Sequence, residues 1–301
     1  MCCSKGGKPL LDVVVVGGGP VGCHAAAGLA RLGHRVLVIE EHPHIGLPAR
    51  CTGLIGEEAF QRFDLPSEPT QRIVSTVTVF GPRGAAVRYT APKPLARVVH
   101  RPRFDAALAA RAQAAGANFK LGCRVTAVEV TPHGCTVALA PGSSLRTRAV
   151  VIATGARSPL PAQLGLGQLP RFIFGAQVEM PVEGVEEVEV YLGRTLCPGS
   201  FAWVVPSAPG YARIGLMAYD RPSTRLAGLL QHDRIRPRLA AAPPPPTVAP
   251  IPQGTLPATT TERVLVVGEA AGQVKTTTGG GVYFGLLAAN IPVDVLAAAP
   301  A

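Results

Sequence analysis

Two glycine-rich segments, far apart in the chain, carry residue types and spacings that could do chemistry. In the first, Gly17, Gly19 and Gly22 hold the G-x-G-x-x-G spacing, and Glu40 follows at roughly the twenty-residue offset of a nucleotide-binding acid. Glycine at the first position allows a sharp turn, at the second a close approach of backbone to a pyrophosphate, and at the third tight packing of a helix on a strand. An acid at the end of the next strand accepts hydrogen bonds from adenosine ribose hydroxyls, and its charge disfavours a 2′-phosphate. The pattern therefore points to FAD or NAD rather than NADP. In the second segment Glu269 precedes Ala270-Ala271-Gly272, and Gly279, Gly280 and Gly281 follow. Small residues let a cofactor chain lie against the backbone while the Glu269 carboxylate accepts ribityl hydroxyls. A helix opened by three glycines directs free amides at the pyrimidine edge of a flavin, where they stabilise the negative charge of the reduced ring. This segment suits FAD better than NAD.

The elements that must position these groups surround them. Leu11–Val16 predicts a strand buried on both faces, Cys23 to Leu32 a helix with Gly33 at its C-cap, and Arg35–Glu40 a second buried strand, together one βαβ unit. Phe104–Ala115 predicts a helix closed by Gly116. Val125–Val130 and Thr136–Ala140 predict a hairpin across Pro132-His133-Gly134, and Ala149–Ala153 a strand running into Thr154-Gly155. From Arg171 to Asp220, short alternating segments separated by Gly and Pro predict an antiparallel sheet. Ala241–Pro252, with prolines at 243 to 246, reads as a stiff extended connector outside any core. Arg263–Val267 predicts a strand, and a helix starts near Gly281. The expected fold class is α/β, a Rossmann-type FAD-binding domain with an inserted antiparallel β-sheet substrate domain. The boundaries read as 1–70, 96–165 and 253–301 for the discontinuous FAD-binding domain, and 71–95 and 166–252 for the substrate-binding sheet.

Composition narrows the function classes. The 301 residues carry 29 Lys or Arg against 19 Asp or Glu, a formal charge of +10, and 47% of them are hydrophobic against 16% charged, which excludes a disordered chain. Aromatic content of 5% with one Trp argues against a stacking platform for single strands, and the scattered basic residues match no nucleic-acid module, so no nucleic-acid partner is expected. The seven cysteines are odd in number and lack a C-x-x-C pair, so no disulfide framework and no metal site are expected, and the compartment reads as reducing and cytoplasmic. Met1–Pro9 is short, polar and basic, which predicts no cleaved signal peptide. The most apolar stretch, Val282–Ala301, is interrupted by Asn290, Pro292 and Asp294, short of a membrane span. The positive excess leaves open a peripheral contact with anionic lipid or a diphosphate head group, beside the commoner role of a solubilising surface. His42 and His44 are expected to border the adenine and His133 to sit in the hairpin turn, so none is assigned to catalysis.

Five further segments carry a specific likeness: ARCTGLIG at 49–56, HRPRFDAAL at 100–108, ATGARS at 153–158, PGSFAWVVP at 198–206 and GEAAGQVKTTTGGGVYFGLL at 268–287. With the Gly17–Gly22 turn and Glu40, they resemble the FAD-dependent geranylgeranyl reductase family, within the flavoprotein group that includes p-hydroxybenzoate hydroxylase. The resemblance spans most of the chain. It implies a flavin along the Rossmann sheet with its ring toward a sheet-lined cavity. Arg101, ahead of Phe104-Asp105, would contact the cofactor, and Cys51 and Gly53 would form a Cys-x-Gly element beside the flavin. Cys51 would then be a proton donor or redox modulator, the alternative being a small packing thiol. Phe201, Ala202, Trp203 and Pro206 match a P-x-x-[YF]-x-W-x-F-P segment led by Pro198. Strand alternation puts Phe201, Trp203 and Val205 on one face, as the wall of a lipid tunnel or as an ordinary sheet core. Three positions depart from the family pattern: Glu269 replaces Asp, Val205 replaces Phe with a wider cavity expected, and Thr276 stands where Pro is common. Relatives continue with further helices that cover the substrate, which leaves an open tunnel, closure by a partner or a truncated product as alternatives here.

The implied reaction is reduction of isoprenoid C=C bonds, hydride leaving reduced flavin N5 for one alkene carbon while a proton reaches the other in a site that excludes water. The expected substrate is an isoprenoid lipid or diphosphate, the electron donor NAD(P)H or a ferredoxin, and no oligomeric state is assigned. A flavin monooxygenase or halogenase of the same fold, and a flavin-binding protein without turnover, are the competing readings.

Overall fold

The computed structural model describes residues 11–298, so the reading of Met1–Pro9, together with Cys2 and Cys3, lies outside the described residues. The run Leu11–Val16 ends in four valines and forms β1, its valines buried on both faces. The helix α1, Pro20–Arg31, starts three residues before the expected Cys23 because Gly19 serves as N-cap and the fixed φ of Pro20 suits the first helical position. β2, Val36–Ile39, lies parallel to β1 and completes the βαβ unit. Next come β3 (Leu54–Gly56), α2 (Glu57–Phe63), β4 (Thr70–Val74), β5 (Thr76–Phe80), β6 (Ala86–Thr90) and β7 (Ala96–Val99).

α3, Arg101–Ala114, begins before the expected Phe104, since the His100 ring accepts from the Arg103 N–H at 3.3 Å and Pro102 fits the first turn. After β8 (Asn118–Lys120), β9 (Val125–Thr131) and β10 (Gly134–Leu139) form the expected hairpin. β11, Ser143–Ile152, is longer than expected because its first half pairs antiparallel with β10 and its second half parallel with β1. The short α4 (Leu160–Gln163) leads to β12 (Phe172–Pro181), β13 (Val188–Tyr191), β14 (Ala202–Pro206), β15 (Tyr211–Ala218) and α5 (Pro222–Leu230). β16 (Thr247–Pro252), β17 (Thr260–Thr261), β18 (Val264–Val266) and α6 (Val282–Ala298) complete the described order.

Three sheets result. The nucleotide-type sheet runs β17-β18-β11-β1-β2-β8, with β9 and β10 attached through β11, and the parallel pairing of β18 with β11 places the late strand with only β11 between it and β1. A seven-stranded sheet runs β16-β12-β15-β14-β13-β5-β6, and a three-stranded sheet, β3-β7-β4, packs on it through Val74 and Val98 and on α1 and α6 through Ile55 and Val99. One correction concerns the proline-rich stretch expected to be a free connector. Its second half is β16, paired antiparallel with β12 at the sheet edge and buried at Pro252. Pro250 and Pro252 share one parity along the strand, so their missing donors fall on the open side, while the Gln253 N–H bonds the Arg171 carbonyl at 2.8 Å.

Burial follows the layers. Alanines and Leu29 of α1, with Ala288 and Ala289 of α6, cover one face of β1 and β2. Leu226, Leu229 and Leu230 of α5 cover one face of β12, β14 and β15. The other face of that sheet meets the three-stranded sheet through Val74, Val98, Val188 and Val205. Among the described residues, no helix is long and apolar enough to cross a membrane.

Candidate functional site

The first glycine turn admits no side chain at two of its positions. Gly17 has φ of +107°, and a Cβ there would lie 2.4 Å from the Ala153 carbonyl oxygen; a Cβ on Gly22 would lie 2.0 Å from the Gly17 oxygen. Gly19 differs: a Cβ there meets no described heavy atom within 4 Å, so the N-terminus of α1 opens onto free space. No side chain caps that end among the described residues, which leaves its first amides available. Glu40 closes the turn from the side. The Gly18 N–H donates to its Oε2 at 2.7 Å, and His42 engages Oε1 through its backbone N–H at 3.0 Å and its Nδ1 at 2.6 Å. Across the turn, Thr154 Oγ1 is buried with no hydrogen-bond partner among the described residues.

The second glycine segment comes to the same place. A Cβ on Gly268 would sit 3.2 Å from the Val21 side chain and one on Gly285 only 2.5 Å from it, so the turn after β18 and the start of α6 both pack on the first turn of α1. His24 Nε2 and Asn290 Oδ1, 2.9 Å apart, tie the two helices further along. Gly281 approaches Glu269, with the Oε1 oxygen 3.0 Å from its Cβ position, while Gly280 is exposed and accepts from the Lys275 N–H at 3.0 Å. Gly279, at φ of +70°, abuts Met217 of β15 and Ile251 of β16. Glu269 keeps a water-accessible face but stands deep among protein atoms. That desolvation raises its carboxyl pKa, opposed by the nearby charge of Arg101.

Arg101, the first residue of α3, makes a two-pronged pair with Asp105 one turn later, Nε to Oδ1 at 3.0 Å and Nη2 to Oδ2 at 2.9 Å. Burial opposes its charge, but the Cys51 sulfur and the Asp105 carboxylate outweigh burial and hold its pKa above the ordinary arginine value. The Cys51 sulfur accepts from the Gly53 N–H at 3.4 Å, and the Arg101 side chain passes the same glycine, its Cγ 3.4 Å from the Gly53 Cβ position. Cys51 is the exposed thiol among the described free cysteines; Cys23, Cys123, Cys135 and Cys197 are buried, and burial pushes the Cys23 thiol up. The adjacent Thr52 hydroxyl donates to Gln177 of β12 at 3.0 Å, joining this loop to the seven-stranded sheet.

Register aligns the sheet face that meets the loop. Arg213 pairs with Glu179 and Val205, and Gly215 with Gln177 and Trp203, so these residues form adjacent rows on one face. Phe201 and Trp203 are half-buried with ring centroids 5.9 Å apart, and Gly215 leaves the space over which the Trp203 ring lies. Val205 is 1% exposed and packs with Val74 and Val98, so the smaller side chain is filled from the three-stranded sheet and opens no extra space. Sequence reasoning passed over Arg213, Gln177 and Asp105. The signal for Arg213 was present as a single charge inside the otherwise apolar strand YARIGLMA.

Known proteins bear on this arrangement. Residues 82–289 match the family described as FAD dependent oxidoreductase, and residues 15–67 match the NAD(P)-binding Rossmann-like domain. The digeranylgeranylglycerophospholipid reductase of Methanocaldococcus jannaschii is 33% identical, over 93% of this chain and 76% of that one. In fold, the chain matches a geranylgeranyl bacteriochlorophyll reductase-like protein from Thermoplasma acidophilum with a TM-score of 0.88 and 23% identity, over 97% of this chain and 79% of that one. The flavin-dependent brominase Bmp2 follows at a TM-score of 0.77 and 17% identity, over 96% and 80%. The two structural matches speak to the fold. By the extent of the family match and the identity to the reductase, the chain belongs to the FAD-dependent oxidoreductases, in the family that includes the digeranylgeranylglycerophospholipid reductases.

Proposed function

We propose that this chain reduces C=C bonds of a geranylgeranyl-type isoprenoid lipid or diphosphate, with Cys51 as the proton donor. The observation that carries the reading is an exposed thiol that accepts from the Gly53 N–H beside the Arg101 side chain, on a loop bonded to the sheet face that bears Phe201 and Trp203. The residues fit FAD. The uncapped start of α1 at Gly19 and the partnerless Thr154 hydroxyl suit an anionic pyrophosphate, with Gly17 and Gly22 shaping the turn and Glu40 taking the ribose. Arg101, Glu269, Gly279, Gly280 and Gly281 would hold the flavin half, an assignment supported by the approach of Gly281 to Glu269, the charge of Arg101 acting on that carboxyl, and the packing of the flanking Gly268 and Gly285 on Val21.

Bound FAD, once reduced by NAD(P)H or a ferredoxin, supplies the hydride. The chain supplies the proton: the Cys51 S–H bond breaks as a C–H bond forms at the other alkene carbon. The thiolate left behind would keep the Gly53 N–H already donated to the sulfur and would be met by the nearby charge of Arg101. Phe201 and Trp203, backed by Val205, would line the path of the apolar chain and exclude water. A cytoplasmic protein of charge +10 in transient contact with an anionic membrane surface suits delivery of such a substrate.

The test is to incubate dithionite-reduced, FAD-loaded protein with geranylgeranyl lipids and follow product masses. Products heavier by pairs of hydrogens are expected. Retained FAD with unchanged lipid would overturn the reading in favour of a binding protein, and rapid NAD(P)H-dependent oxygen uptake with oxygenated or halogenated product in favour of a monooxygenase or halogenase.

A further inference from the structure

Arg213 stands in the middle of β15 and is only 5% exposed. Its guanidinium is spread over four acceptors. Nη1 donates to the Thr52 carbonyl at 2.5 Å and to the Val99 carbonyl at 3.0 Å, Nη2 to Gln71 Oε1 at 2.8 Å, and Nε lies 3.3 Å from Glu179 Oε2. Glu179 is 42% exposed in its side chain, so full charge pairing is not what holds the group there; most of its contacts are to uncharged oxygens of the three-stranded sheet and its loop. Thr52 is the neighbour of Cys51, and Val99 lies two residues before Arg101. One buried cation thus grips the two backbone segments that carry Cys51 and Arg101, segments that also bond each other through the Val99 N–H and the Gly53 carbonyl at 2.9 Å.

Gly53 belongs to the same device. Its φ is +73°, and a Cβ there would lie 2.7 Å from Arg213 Nη1 and 2.6 Å from the Val99 oxygen. The glycine of the Cys-x-Gly element is thereby required to leave room for a guanidinium that arrives from a distant strand. Lysine at 213 would keep the charge but lose the planar fork that reaches Gln71 and Glu179 as well as the two carbonyls.

We propose that Arg213 is a positioning residue that sets the Cys51 thiol against Arg101 across the junction of the two sheets. The proposal rests on the assignment of Cys51 as proton donor, but its test needs no lipid. Cys51 is accessible and the other described cysteines are buried, so the rate of its alkylation by iodoacetamide in the FAD-loaded protein, read by peptide mass at one fixed pH, reports how closely the guanidinium accompanies the sulfur. The charged groups around that sulfur are Arg101 with its partner Asp105, Glu269 facing Arg101, and Arg213 with Glu179.

In Arg213→Gln the rate is expected to fall about fivefold as the thiol drifts from Arg101, with Arg213→Lys in between. A merely structural role would loosen the loop and leave alkylation unchanged or faster. Lipid reduction, where measured, is expected to lose about tenfold in kcat with KM within about twofold, since misplacement acts on the proton transfer and not on binding. Alkylation at or above the wild-type rate in both variants, with an unchanged flavin spectrum, overturns the proposal. If Arg213→Gln does not fold, the Lys variant alone decides by the same criterion. A failed lipid assay with slowed alkylation would remove the proposed substrate and leave the positioning role standing.

Discussion

The nucleotide-type sheet and the seven-stranded sheet position their parts of the site with different materials. Around β1, β2 and β18 the interior is Val, Ile, Leu and Ala, and placement comes from backbone: glycines that let Gly17, Gly22, Gly268 and Gly285 touch their neighbours. In the seven-stranded sheet the described buried polar side chains include Thr78, Glu189 and Arg213, and placement comes from directed charge: Arg213 on the Cys51 loop, and Arg238 with Tyr191 on Glu189. Backbone contact suits a cofactor that is bound once and held. Directed charge suits a reactive loop that must be aligned from another sheet.

The contrast can be broken at its backbone side first. Gly22→Ala forces a methyl to 2.0 Å from the Gly17 oxygen, and we expect a loss of about 4 kcal/mol or more in stability, read by thermal melting, together with loss of bound flavin. Cys51→Ala acts on chemistry alone: FAD should be retained while kcat for lipid reduction falls about 100-fold, roughly 2.7 kcal/mol. On the charged side, Arg238→Met leaves Glu189 buried with only the Tyr191 hydroxyl, donated at 2.6 Å, and should cost about 2 kcal/mol in denaturant unfolding without altering the flavin spectrum. The smallest effect belongs to Glu57, whose carboxyl is held below its usual range chiefly by hydrogen bonds from Arg97, against burial. That contribution is fully present above the ordinary glutamate value and fades as pH falls through the lower folded value. Glu57→Gln should therefore lose about 0.5–1 kcal/mol at neutral pH and match the wild type in strong acid, as measured by denaturant midpoints.

What could be read in advance followed the range of the contacts involved. The valine strand, the glycine spacing and Glu40 lie within one βαβ unit, so local pattern sufficed for their elements, and the register of β14 with β15 puts Trp203 and Val205 on one face as alternation expects. β16 departs from the expected extended connector because a proline-rich run carries no strand pattern of its own, whereas an edge strand has an open side that needs no donor. The small sheet of β3, β4 and β7 gives short, weakly alternating signals, and its strands are held together by partners 22 to 44 residues away in order. Arg213 meets Thr52 across 161 residues, a distance over which spacing carries no information. Only the misfit of a charge in an apolar strand announced it.

In the proposed arrangement the turns at 17–22 and 279–281 hold one FAD between them. Its most direct measurement is a fluorescence titration of the apoprotein with FAD and, separately, with ADP, in wild type, Gly22→Ala and Gly281→Val. We expect Gly22→Ala to weaken both ligands and Gly281→Val to weaken FAD about tenfold or more while leaving ADP binding intact, since the flavin half alone would lose its partner. Wild-type FAD affinity in Gly281→Val would contradict the account.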